Sequence, residues 1–149
     1  MTAPHFSKLN PLEARLLDHF YRQQGSRMRA AADGERWVAR APGIIAGLSL
    51  SAVADGFWLT GLCVAHAQRG QGVAAGLVEA ALVGRQGPIW LFCHPDLAAF
   101  YQRLGFSAAS ALPEALAARL SRYQRSKHLV ALQRPQSSPA SSPGNSTSV

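Results

Sequence analysis

The sequence predicts a single domain of mixed helices and strands, and three observations carry that expectation. Between Arg36 and Val64 the chain breaks into three extended segments separated by Pro-Gly and Asp-Gly turn signals, the pattern of an antiparallel meander. Two later segments, around Leu77 and around Tyr101, repeat apolar residues at the three- and four-residue spacing of a helix. Between them Ile89 to Cys93 is short and apolar, as a buried strand is. A chain of 149 residues, 48% hydrophobic and 15% charged, suits one globular core rather than a disordered or membrane segment.

Taken in order, Met1 to Lys8 shows no long apolar run behind a basic patch, and no later stretch is long enough to span a bilayer. Asn10-Pro11-Leu12-Glu13 is a helix start: a capping Asn, a proline at the first helical position and an acid in the first turn. Leu12, Leu16, Phe20 and Leu17, Tyr21 recur at four-residue spacing, and Gly25 is placed to end the helix. The meander follows as Arg36 to Arg40, Ile44 to Val53 and Phe57 to Val64. Its third strand is apolar almost throughout and is expected to be covered on both faces.

A short polar loop leads to Gly70 and Gly72, then to a helix carrying Ala74, Leu77, Val78, Ala81 and Leu82 on one side. Gly84 and Gly87-Pro88 close it before the Ile89 strand. Leu97, Phe100, Tyr101 and Leu104 give the next helix, stopped by Gly105. Phe106 to Ala109 is a candidate strand, Pro113 opens an amphipathic helix through Leu116, Leu120 and Tyr123, and His128 to Leu132 is the last strand. These elements make a domain of residues 1–134. Residues 135–149 are mostly Ser and Pro, with Gly, Asn and Thr among the rest and no charge, a composition that predicts a disordered tail.

Two cysteines, Cys63 and Cys93, in no zinc-type spacing suit a reducing cytoplasm, and no metal site is expected. A net charge of +7 favours anionic partners. The groups Arg22, Arg27, Arg29 and Arg119, Arg122, Arg125, Lys127 read as solvated faces; no recognition-helix or zinc-finger pattern accompanies them, so nucleic acid is not expected as a partner. Membrane binding is not expected either, and a homodimer is compatible with the chain.

The turn Arg69-Gly70-Gln71-Gly72-Val73-Ala74 stands between a strand and a helix. There the N–H groups of the first helical turn lack intrahelical partners and face an anion, while the helix dipole and Arg69 add positive potential. A glycine-permitted tight turn would give the same pattern without a ligand. A Walker loop is excluded, since no Gly-Lys-Ser/Thr is present, and Gly70-Gln71-Gly72 lacks the third spaced glycine of a dinucleotide site.

Residues Leu62 to Leu77, LCVAHAQRGQGVAAGL, resemble the acetyl-CoA motif of the GNAT N-acetyltransferases: Arg69, Gly72 and Ala74 meet its Gln/Arg-x-x-Gly-x-Gly/Ala pattern. AFYQRLGF, Ala99 to Phe106, resembles the helix that follows the family's fifth strand. The chain is thus similar, over about residues 5 to 134, to a small bacterial-type single-domain member.

The resemblance implies a twisted mixed sheet splayed between a fourth strand ending at Val64 and a fifth beginning at Ile89, with acetyl-CoA as co-substrate in the gap. Leu62, Cys63, Val64, Arg69, Gly70, Gln71, Gly72, Val73 and Ala74 would hold it. It implies acetyl transfer to a primary amine, of a small molecule or a protein, by direct attack in a ternary complex. A main-chain N–H at Cys63 or Val64 would bind the oxyanion, and Tyr101 would protonate the departing sulfur. Tyr101 also lies on the apolar stripe of Leu97 and Leu104.

An alkyl amine with a pKa around 10 must lose a proton before it attacks, and many family members place a glutamate on the fourth strand to take it. Here the single acid between Asp55 and Asp96 is Glu79, off the apolar side of its helix. His94 and, after it, His66 are the candidate bases, with histidine suited to proton transfer near neutral pH. His94 also stands where many relatives carry an asparagine. The missing carboxylate motivates an alternative expectation, a catalytically weak acetyl-CoA-binding regulator acting through a protein partner.

Overall fold

A computed structural model describes residues 3–30 and 33–135. The sheet has seven strands: β1 (His5–Lys8), β2 (Glu35–Arg40), β3 (Ile44–Val53), β4 (Gly56–Val64), β5 (Ile89–Cys93), β6 (Ser107–Ala108) and β7 (Val130–Arg134), in the order β1-β2-β3-β4-β5-β7-β6. The β4–β5 pair is parallel, joining Phe57 to Ile89 and Trp58 to Trp90 at the starts of both strands; β1–β2, β2–β3, β5–β7 and β6–β7 are antiparallel. The helices are α1 (Ala14–Gln23), α2 (Val73–Leu82), α3 (Ala98–Arg103) and α4 (Glu114–Tyr123). The chain divides into two compact units: the residues up to Ser51 with Leu59–Val83, and Ala52–Trp58 with those from Gly84 on.

In the first unit α1 and α2 lie on opposite faces of the sheet. Val38 and its register partner Gly47 point to one face, where Leu17 of α1 comes so close to Gly47 that a Cβ there would strike it. Leu9, Leu17, Phe20, Tyr21 and Val38 form the core on that side. Successive strand residues alternate, so Ala39 and its β1 partner Phe6 point the other way. The Phe6 ring fills the place a Cβ would take at Gly76 of α2. Val73, Leu77, Val78, Ala81 and Leu82 bury the sheet-facing side of α2, as their spacing requires.

In the second unit β5 is the core strand, with Ile89, Trp90, Leu91 and Cys93 buried, and Leu91 pairs with buried Leu132 of β7. Phe92 meets Tyr123 of α4 edge-on at 6.4 Å. Gly56 and Gly87 admit the chain crossing at the foot of the parallel ladder: a Cβ on Gly56 would strike the Pro88 carbonyl, and one on Gly87 the Asp55 carbonyl. The Phe57 N–H donates to the Pro88 carbonyl at 2.9 Å.

Several expectations change. Asn10 does cap, its Oδ1 accepting from the Leu12 N–H at 2.9 Å, but it caps a single 3-10 turn, Pro11–Glu13, that leads into α1. Leu12 is 88% exposed and Leu16 is also exposed, so the apolar side of α1 is Leu17, Phe20 and Tyr21 alone. The strand Phe57 to Val64 is not covered on both faces; most of it is half-buried, and β3 is the strand that is buried through its middle. His128 precedes β7 rather than belonging to it. β1 has no counterpart among the elements expected from the sequence. The expected tail at residues 136–149 lies outside the described residues, and no helix among the described residues is long and apolar enough to cross a membrane.

Candidate functional site

The Gly70/Gly72 turn belongs to the first unit. Gly70 and Gly72 both have φ of +79°, a left-handed conformation that costs an L side chain about 1 kcal/mol or more. No atom lies within 4 Å of where a Cβ would stand at either residue. Both glycines are thus required by backbone conformation, and open space lies in front of them. Gly72 is the N-cap of α2 and offers no side chain to the helix. The first bond back into the helix is Gly76 N–H to the Gly72 carbonyl at 3.0 Å, which leaves the N–H groups of Val73, Ala74 and Ala75 for something else.

Arg69 is exposed, and its Nε–H donates to the Val64 carbonyl at 3.1 Å, tying the turn to the end of β4. Gln71 Nε2 reaches the Ala67 carbonyl at 3.4 Å. Leu62, Cys63 and Val64 are half-buried. Burial pushes the Cys63 thiol up, and the nearby Arg69 guanidinium partly offsets it. That environment disfavours a thiolate.

The sequence places Tyr21 only on an apolar stripe; the structure gives it a polar task. Its hydroxyl donates to the Gly61 carbonyl at 2.6 Å, where Gly61 takes φ of +67° inside β4. Burial, then the charges of Cys63 and Asp18, raise the phenol well above its ordinary range, so it remains a donor. An isolated glycine inside a strand is the sequence sign of such a kink. His66 is exposed and lies in a short 3-10 turn, its N–H donating to Gln24 Oε1 at 3.3 Å.

Tyr101 and His94 belong to the second unit. Tyr101 of α3 is buried, with Phe100 and Phe106 edge-on at 5.0 and 5.9 Å. Burial, and then Cys93, pushes its pKa up to about 12. The end of α3 is held from β7: Arg134 Nη1 donates to the Leu104 carbonyl at 3.1 Å, and the Phe106 N–H returns to the Tyr101 carbonyl at 3.1 Å. His94 is exposed and caps the 3-10 turn Pro95–Leu97, its Nδ1 accepting from the Asp96 N–H at 3.1 Å. In the neutral ring this acceptor role fixes the proton on Nε2. The Asp96 carboxylate is 3.5 Å from the same Nδ1. Among the described residues no group of three His, Cys, Asp or Glu could hold a metal ion.

Residues 32–108, just over half of the chain, match the family model described as an acetyltransferase (GNAT) domain. None of the curated proteins matches the chain. Among solved structures, it is similar to the ribosomal-protein-S18-alanine N-acetyltransferase of Escherichia coli, with a TM-score of 0.66 at 15% identity, over 99% of this chain and 100% of that one. It is similar to an acyl-CoA N-acyltransferase from Pseudomonas aeruginosa, with a TM-score of 0.61 at 19% identity over 89% and 99%. The N-acetylglutamate synthase of Neisseria gonorrhoeae, solved with coenzyme A and N-acetyl-glutamate, gives 0.65 at 15% identity, over 91% of this chain and 36% of that one. These identities speak to the fold.

Proposed function

Because the chain belongs to the GNAT acetyltransferase family, whose members transfer acyl groups from acyl-CoA, we propose that it acetylates a primary amine by direct attack in a ternary complex. The observation that carries this reading is the pair of left-handed glycines with open space before α2, a cradle that suits the coenzyme's phosphates. Arg69 adds charge beside it, and the N–H groups of Val73 and Ala74 supply donors. When bound, acetyl-CoA brings a thioester carbonyl for the amine to attack: the C–N bond forms, the C–S bond breaks and the amine gives up a proton. A main-chain N–H at Cys63 or Val64 receives the oxyanion, with Tyr21 holding the kink at Gly61 that sets their direction.

Tyr101 is the proposed donor to the departing sulfur. A phenol near 12 is a weaker acid than a thiol near 8.5, so full transfer from Tyr101 alone is uphill. It therefore acts as a hydrogen-bond donor to the developing thiolate, whose proton comes in the end from the amine. His94 is the proposed acceptor of that proton; to take it at Nδ1 the ring must release the Asp96 N–H it caps, and the Asp96 carboxylate, 3.5 Å away, can then pair the imidazolium. A second reading, a regulator that binds acetyl-CoA without turnover, is favoured by one fact: β4 carries no acid.

Incubation with acetyl-CoA and a panel of amines, followed by assay of free CoA thiol, separates the two. Acceptor-dependent thiol release is expected. Tight coenzyme binding with no release from any amine would leave the regulator, and failure to bind acetyl-CoA would end both readings.

A further inference from the structure

The chain leaves α4 through Gln124, Arg125, Ser126, Lys127, His128 and Leu129, and these six residues line an open cleft of about 450 Å³. It is a shallow, open surface cleft, suited to holding one charged end of a ligand rather than to enclosing a whole one. Its rim is held by the main chain: the Ser126 and Lys127 N–H groups return to the Tyr123 carbonyl at 3.2 and 2.9 Å, and Gln124 Nε2 closes across to the Leu129 carbonyl at 3.0 Å. Lys127 Nζ lies 5.6 Å from the centre of the Tyr123 ring, which meets Phe92 edge-on. No acid lines the cleft, and beyond Glu114 the chain has no Asp or Glu at all.

The cleft also has a definite place. Cys93 pairs with Val130, so His94 follows β5 where His128 precedes β7, and the two imidazole rings are 5.6 Å apart. Asp96 lies beside this pair, its carboxylate 3.5 Å from His94 Nδ1. Cys93 in turn is close enough to Tyr101 to raise its pKa. A basic cleft thus opens at the carboxyl end of β5, beside the groups assigned to proton movement, and separate in the chain from the Gly70/Gly72 cradle.

We propose that this cleft is an acceptor subsite that takes an acidic group, a carboxylate or a phosphate, carried by the amine substrate. Arg125 and Lys127 pair with the acid, and Leu129 bounds the hydrocarbon that joins it to the amine. The assignment of this ligand as acceptor rests on the acetyl-transfer reading; the anion site itself does not.

The test compares acceptors with and without the acid, at equal concentrations of free amine: α-amino acids against their amides, and 2-aminoethyl phosphate against 2-aminoethanol, each with the wild-type protein and with Arg125→Gln/Lys127→Met. Wild type is expected to show a KM about tenfold lower for the acidic member of a pair, a difference the double variant removes, with kcat and coenzyme affinity unchanged. The pair with the larger effect tells carboxylate from phosphate. Equal KM values within both pairs overturn the proposal. So does a loss of CoA affinity in the variant, which would give the cleft to the coenzyme, or RNA retention at low salt that the variant abolishes. If no amine is turned over, the free protein is titrated with the same acids while the His94 and His128 imidazole signals are followed by NMR. Saturable shifts in wild type that vanish in the variant uphold the site, and unmoved signals overturn it.

Discussion

Tyr101 sits with its phenol buried beside Phe100 and Phe106, its proton held to about pH 12, whereas in the unfolded chain it ionises near 10. Between those values the unfolded state binds fewer protons, so stability is full below pH 10 and falls as pH rises through the window, by about 3 kcal/mol from this residue. Tyr101→Phe removes that contribution. Urea midpoints of wild type and variant should therefore converge or cross between about pH 10 and 12, while kcat with a good amine falls at least tenfold in the variant. Unchanged turnover would take Tyr101 out of the mechanism. His94 divides differently, because its ring both caps a turn and is assigned the amine's proton. Asparagine is a good cap, so His94→Asn should keep the fold within a few tenths of a kcal/mol, whereas His94→Ala costs about 1 kcal/mol. If His94 takes the proton, both lose kcat; full activity in His94→Asn assigns the residue to capping alone.

The two ends of α2 offer a control that few helices provide. Gly72 at its start and Gly84 just beyond its end have φ of +79° and +78°, and at neither does any atom lie within 4 Å of the place a Cβ would take, so alanine strains both backbones alike. Gly72→Ala and Gly84→Ala should each lose about 1 kcal/mol of stability. Only Gly72→Ala should weaken CoA binding, by tenfold or more in a calorimetric titration; equal affinities would detach the cradle from the coenzyme. This helix is legible in the sequence because an unbroken apolar period meets a glycine at each end. β1 is not: His5-Phe6-Ser7-Lys8 has no period to read, and what makes it a strand is its pairing with Trp37 to Arg40, some thirty residues away. Leu12 and Leu16 mislead for a related reason: spacing sets them in line with Phe20, and only packing, with Leu17 against Gly47, makes Leu17, Phe20 and Tyr21 the buried side of α1. At the site, Gly70, Gly72 and Tyr101 can be named from motifs. The Tyr21 bond to Gly61 spans forty residues and leaves only a lone glycine in a strand as its trace.

Across the whole chain, a net charge of +7 surrounds a site assigned to a polyanion. Coenzyme binding should therefore weaken as salt rises, and CoA at a hundredfold excess over its Kd should raise the thermal midpoint by roughly 5–10 °C at low salt. An unmoved midpoint would count against coenzyme binding by the folded protein. The sheet order has a different kind of consequence, one written in time. β7 lies between β5 and β6 although it comes after both in the chain, so during synthesis those two strands wait, each with an unpaired edge, until Val130–Arg134 emerges. The hairpin partners of the first unit, β2 and β3, are already complete at Val53. A stop codon before Val130 would thus release, and a translation pause there would expose, a chain with a finished amino-terminal half and two open strand edges in the other. Such a product is a candidate for edge-to-edge aggregation or early proteolysis rather than for a partly active enzyme.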